Sequence, residues 1–250
     1  MMKKPESKLQ DLASRLHAAC GDNLVSVVLY GSAAREEFHE QYSDVNVLAV
    51  FRDLDAGRLS VITPVVRWWT HEEKFTPPLM MTEVELRESA DVFAIEVLDI
   101  QHMHRTLFGQ DIVSAIQVPM NLHRVEVEHE LRTVLLRLRQ HLLLSPENQD
   151  ELRRVLAKSI ASVSTLLRHA LIAVRENPPH DRAKVLEQAA AVFGFDAQPM
   201  QTILALRSGH EHPENVAAAY NAYMSAIGLV AHELDARVPK RHWQKMSPTV

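Results

Sequence analysis

The sequence predicts an α+β protein: a mixed sheet with flanking helices, followed by an all-helical bundle. Residues 1–118 alternate short β-branched runs with helical patterns. Residues 119–237 carry apolar side chains at helical spacing throughout. Glycine, proline and capping residues fall at the joints between these segments, which marks them as separate elements.

The chain opens with a helix, since Leu9, Leu12, Ala13 and Leu16 share one helical face. Gly21-Asp22-Asn23 breaks it. Leu24–Tyr30 (LVSVVLY) is a strand, rich in β-branched residues and too short for a helix. Gly31-Ser32 then turns the chain into a short helical piece, Ala33–Glu37. Asp44–Phe51 (DVNVLAVF) is a second strand that returns against the first in hairpin fashion. Residues 55–73 read as a helix with a break at Pro64, and Trp68 and Trp69 belong to the core. Leu79–Thr82 is a short strand, and Thr82 with Glu85 forms a capping box for the helix Glu83–Arg87. Ala94–Ile100 (AIEVLDI) is expected to be a further strand.

The second half reads as helices over about residues 123–143, 150–175, 181–194, 198–208 and from Pro213 onward. Leu131, Leu135, Leu138 and Leu142 make one apolar stripe; Leu152, Leu156, Val163, Leu167 and Leu171 make another. Asn177-Pro178-Pro179 ends one helix, Asp181 caps the next, and Gly194 stops it. Residues 238–250 are polar, carry two prolines and are expected to form a flexible tail. The domains expected are therefore 1–118, 119–237 and this tail.

Composition limits the function classes. A net charge of −5 argues against coating nucleic acid, which needs clustered Lys and Arg. The single cysteine, Cys20, rules out an internal disulfide and a cysteine zinc site, and points to a reducing compartment. Met1–Lys8 lacks an apolar signal region, and no stretch is expected to reach the length of a membrane span. A cytoplasmic protein without membrane attachment is the expectation.

The chemistry concentrates in LYGSAAR, residues 29–35, and YSDVNV, residues 42–47. A strand that ends in Gly31-Ser32 and passes at once into a helix offers close backbone approach, unpaired N–H groups and a dipole's positive end to a phosphate. Ser32 adds a hydroxyl, and Arg35 lies one turn further on. Asp44 and Asn46 are at i and i+2 of a strand and share a face. Oxygen ligands beside a phosphate cradle are what magnesium-dependent phosphoryl chemistry uses.

This stretch resembles the DNA polymerase β-type nucleotidyltransferase superfamily, with its apolar strand, Gly-Ser pair and later carboxylate in a second strand. The resemblance covers about residues 24–105. The helical half is similar in architecture to bacterial aminoglycoside and lincosamide nucleotidyltransferases. The resemblance implies transfer of a nucleoside monophosphate from ATP or another nucleoside triphosphate to an acceptor hydroxyl, with Mg²⁺. It implies nucleotide binding by Gly31, Ser32 and Arg35, and a metal site at Asp44, Asn46 and a third carboxylate. Glu96 and Asp99 are the candidates for the third, with Glu96 favoured as ligand or general base. Where the family has a second carboxylate, this chain has Asn46, so a nucleotide-binding protein without turnover is the competing expectation. The acceptor, a small molecule or a protein, is expected at the helical domain, and a homodimer is a further possible partner state.

Each feature also has a plainer reading. Gly31-Ser32 serves as a strand-to-helix turn, Asp44 as an Asx turn, Asn46 as a buried amide and Arg35 as a solvated side chain. His102, His104, His210 and His212 do not form a zinc pattern. Arg132, Arg137, Arg139, Arg153 and Arg154 are expected on solvated faces, pairing with nearby acids.

Overall fold

A computed structural model describes residues 5–34, 45–209 and 213–237. His210, His212 and the tail expected over 238–250 lie outside these residues. The chain divides into two compact units, Met1–Pro119 and Met120–Val250. In the first, α1 (Pro5–Cys20) precedes β1 (Leu24–Tyr30), β2 (Asn46–Phe51), α2 (Ala56–Arg67), β3 (Leu79–Thr82), α3 (Glu83–Glu88), α4 (Ala94–His102) and β4 (His104–Gly109). The sheet order is β3-β2-β1-β4. β1 runs antiparallel to β2 and to β4, while β2 and β3 are parallel, so the sheet is mixed.

The two central strands are buried on both faces, which is why they read as nearly continuous apolar runs. Val27, Leu29, Val47, Ala49 and Phe51 pack with Leu9, Leu12 and Leu16 of α1 and Ile62 of α2. The alternate residues Val28, Leu48 and Val50 pack with Leu86 of α3 and Val97 and Ile100 of α4. Each Val, Leu, Ile and Phe among these side chains contributes about 1.5–3 kcal/mol by leaving water. Thr82 caps α3 with the full box: Glu85 N–H donates to Thr82 Oγ1 at 3.1 Å, and Thr82 N–H donates to Glu85 Oε2 at 2.7 Å.

Two sequence expectations are corrected. Ala94–Ile100 is not a strand but most of helix α4. Its buried residues Ala94, Val97 and Ile100 recur every third position, and a short apolar run cannot distinguish a strand from a buried helix by periodicity. The strand that joins the sheet is the next segment, HRTLFG, at the edge beside β1. Pro64 lies inside α2 without ending it; the chain then widens into a single π turn, Trp68–Glu72. Trp69 is fully buried there, stacked on Phe75 at 4.3 Å, its indole N–H donating to Thr76 O at 2.8 Å.

The second unit holds α5 (Met120–Leu144), α6 (Gln149–Ala173), α7 (Arg182–Phe193), α8 (Gln198–Arg207) and α9 (Val216–Arg237). Asn148 caps α6, Asp181 caps α7, and Gly194 ends α7 in the left-handed region. Arg132 pairs with Glu128 one turn away, and Arg153 with Asp150. Contrary to expectation, α6 has the length and mean hydropathy to cross a membrane. Half of its most apolar window is buried, so that face already has protein partners.

Candidate functional site

The site expected from sequence begins where β1 ends. Gly31 adopts φ +75°, the left-handed region that costs other L-residues strain. Its N–H donates to Met103 O at 2.9 Å, which ties the turn to the α4–β4 junction. A side chain at Gly31 would come within 3.5 Å of the Asn46 amide nitrogen, an ordinary contact. Glycine is therefore required here by backbone angle and not by crowding. Residues 31–34 form a tight 3-10 turn directly after the strand.

Strand register places Asn46 opposite Tyr30, beside this turn. Because side chains alternate along a strand, Asn46 lies on the same face as Leu48 and Val50. That is the face on which α4 packs. Asn46 is half-buried. Tyr30 packs against the same core, and its phenol is pushed up by burial and then by the nearby charge of Glu96. Glu96 thus belongs to the Tyr30 side of α4.

The helix changes the relation between the two candidate carboxylates. On a strand, Glu96 and Asp99 would point to opposite faces. On α4 they are three apart and neighbour each other on one side. Glu96 is exposed and Asp99 half-buried. The expected desolvation cost of a carboxylate between Ile95 and Val97 disappears, because the helix turns Glu96 outward while its neighbours face the core.

Arg35 and Asp44 lie outside the described residues, as does the side chain of Ser32. Among the described residues, no three His, Cys, Asp or Glu side chains gather as a metal-ligand group. The Asn46 amide on this face and the carboxylates of α4, the helix that packs there, are nevertheless oxygen donors of the hard type magnesium takes. His104, at the other side of Tyr30 in the register, is engaged with Asp111 at 3.2 Å and with Gln101 O. The Gln101 amide in turn donates to Val113 O and Ile116 O, which fixes the segment behind α4. Sequence reasoning missed this support because it placed α4 in the sheet.

No protein-family model matches the chain, and no curated protein matches it in sequence. Among solved structures, the chain is similar to spectinomycin adenyltransferase AAD(9) from Enterococcus faecialis, solved with ATP and spectinomycin. The TM-score is 0.53 at 12% identity, over 89% of this chain and 99% of that one. This likeness shows a shared fold, over a share of the chain larger than either unit by itself.

Proposed function

We propose that this protein is a nucleotidyltransferase that moves a nucleoside monophosphate from ATP or another nucleoside triphosphate to a hydroxyl of an acceptor. The observation that carries the reading is the left-handed Gly31 turn at the end of β1. It has Asn46 beside it, on the face of the sheet that is covered by α4, the helix that carries Glu96 and Asp99. The shared fold with an adenyltransferase solved with ATP supports it. That structure's second ligand, spectinomycin, favours a small-molecule acceptor over a protein.

In this reading the backbone N–H groups after Gly31, with Ser32 and Arg35, hold the phosphates. Asp44, Asn46 and one of Glu96 and Asp99 would hold Mg²⁺, which when bound neutralises charge on the triphosphate. The acceptor oxygen attacks the α-phosphorus, the bond to the bridging oxygen of pyrophosphate breaks, and pyrophosphate leaves. Glu96, exposed on α4, takes the proton from the acceptor hydroxyl. Asn46 contributes an oxygen without charge, so this chain has one anionic ligand fewer than the family pattern. That feature favours a second reading, a nucleotide-binding protein without turnover.

The two readings separate on Asn46→Asp and Asp44→Ala. For a working enzyme, Asp44→Ala abolishes nucleotide transfer and Asn46→Asp lowers it, because Asn46 is then the residue in use. A large gain of Mg²⁺ affinity and transfer in Asn46→Asp identifies a decayed site. Transfer that survives Asp44→Ala unchanged refutes the site built on Asp44, and absence of transfer in wild type with nucleotide still bound favours the second reading.

A further inference from the structure

The helical unit contains a polar chain that the reaction above does not use. His123 of α5 and His169 of α6 are both fully buried, and His123 Nε2 lies 2.9 Å from His169 Nδ1. On the far side, Arg168 Nη2 lies 3.0 Å from His169 Nε2. The proton positions follow by elimination. A guanidinium only donates, so His169 Nε2 must accept. Neutral His169 then carries its proton on Nδ1 and donates it to His123 Nε2. His123 must in turn carry its proton on Nδ1, and that atom is buried without a hydrogen-bond partner among the described residues.

This order admits one protonation state. A proton added at His169 Nε2 sets an N–H against the Arg168 guanidinium. One added at His123 Nε2 sets an N–H against the His169 N–H. Reversing the histidine–histidine bond moves the His169 proton onto Nε2, again facing Arg168. Every protonated form loses a hydrogen bond and buries an imidazolium, and protonation of His169 also sets it beside the Arg168 guanidinium, where it is costly. We infer that Arg168–His169–His123 is an acid-sensitive latch, closed only while both imidazoles are neutral, that fastens α5 to α6.

Several charged groups on the neighbouring elements are engaged elsewhere, and Glu126, three residues along α5 from His123, is itself partnered. On α5, Glu128 already takes Arg124 at 2.8 Å and Arg132 at 2.7 Å. On α9, Glu233 pairs with Arg237, and the Leu234 carbonyl accepts from Arg124. On α7, Glu187 accepts from Gln201, and on α8, Arg207 donates to Ala157 O. Burial, with His169 beside it, pushes the His123 imidazole down to about 4. Since a histidine in the unfolded chain titrates near about 6.5, the latch's contribution is complete above that pH and is lost as pH falls toward 4.

The test is nitrogen NMR of the histidine rings in the full-length protein near about pH 7.5, where free histidines are neutral. We expect both His123 and His169 to carry the proton on Nδ1, with His169 Nε2 bare. The opposite tautomer at either ring overturns the proposal. A second arm compares thermal midpoints at about pH 7 and about pH 5 in wild type and in the double variant H123N/H169Q. The two introduced amides can still accept from Arg168 and bond to each other, but neither titrates. We expect the wild-type midpoint to drop by about 5 °C more than the variant's. Equal drops overturn the latch. If the variant does not fold, the ring tautomers of the wild type decide.

Discussion

Replacing Gly31 by alanine probes the turn on which the site is built. With φ at +75°, an alanine carries the left-handed penalty of about 1–2 kcal/mol. The added methyl meets nothing closer than the Asn46 amide at 3.5 Å, so crowding adds little. If the turn rotates to relieve the angle, the N–H bond to Met103 O is lost instead, at about 1 kcal/mol. Both routes give a destabilisation of about 1–2 kcal/mol, or roughly 3–8 °C in thermal midpoint. The assay is thermal unfolding of the full chain followed by circular dichroism, with Gly31→Asn alongside. Asparagine tolerates the left-handed region and should lose less. The sign is decisive. At a position with ordinary negative φ, glycine-to-alanine stabilises by about 0.4–1 kcal/mol, by restricting the unfolded chain. A raised midpoint for Gly31→Ala would refute the left-handed turn and the cradle argued from it.

Other substitutions test neighbouring links. Glu96→Gln should abolish transfer while leaving the unfolding free energy within about 0.5 kcal/mol of wild type, because the side chain is exposed. The same variant should lower the midpoint of Tyr30 ionisation in an ultraviolet titration, though not to the free value, since burial is the larger cause. An unmoved Tyr30 would separate Glu96 from the site. Trp69→Ala removes a fully buried ring and leaves the Thr76 carbonyl without its donor, and should cost about 3–5 kcal/mol in chemical denaturation. Asn148→Ala removes the α6 cap, in which Asn148 Oδ1 accepts from Glu151 N–H at 3.0 Å, and should cost about 1 kcal/mol. A neutral result would show that the N-terminus of α6 is held by other contacts.

What was legible in the sequence follows from how locally each signal is encoded. The runs LVSVVLY and DVNVLAVF declared β1 and β2, the second strand starting at Asn46, because strands buried on both faces leave little else for the residue pattern to be. The Thr82–Glu85 box and the Asp181 cap are short-range chemistry and were readable directly. AIEVLDI misled because it is apolar and only seven residues long; packing against Leu48 and Val50 decides that it is a helix. The true edge strand, HRTLFG, carries a histidine and an arginine and shows no alternation, since Arg105 turns outward to form a two-bond ion pair with Glu6 of α1. The Gly31 turn and its partner Asn46 were visible as residues. The orientation of the carboxylates depended on the state of α4 and was not. The buried His123–His169 pair gave no sequence signal, since two histidines 46 positions apart become neighbours only when α5 and α6 pack.

The central claim is that the Gly31 turn and the oxygen donors near it hold a nucleoside triphosphate with magnesium. Calorimetric titration of the full-length protein with ATP, GTP, CTP and UTP, with and without Mg²⁺, tests it most directly, with Asp44→Ala in parallel. The account predicts Mg²⁺-dependent binding of at least one nucleotide, lost in Asp44→Ala. Binding of none, or binding indifferent to both Mg²⁺ and Asp44, would contradict it.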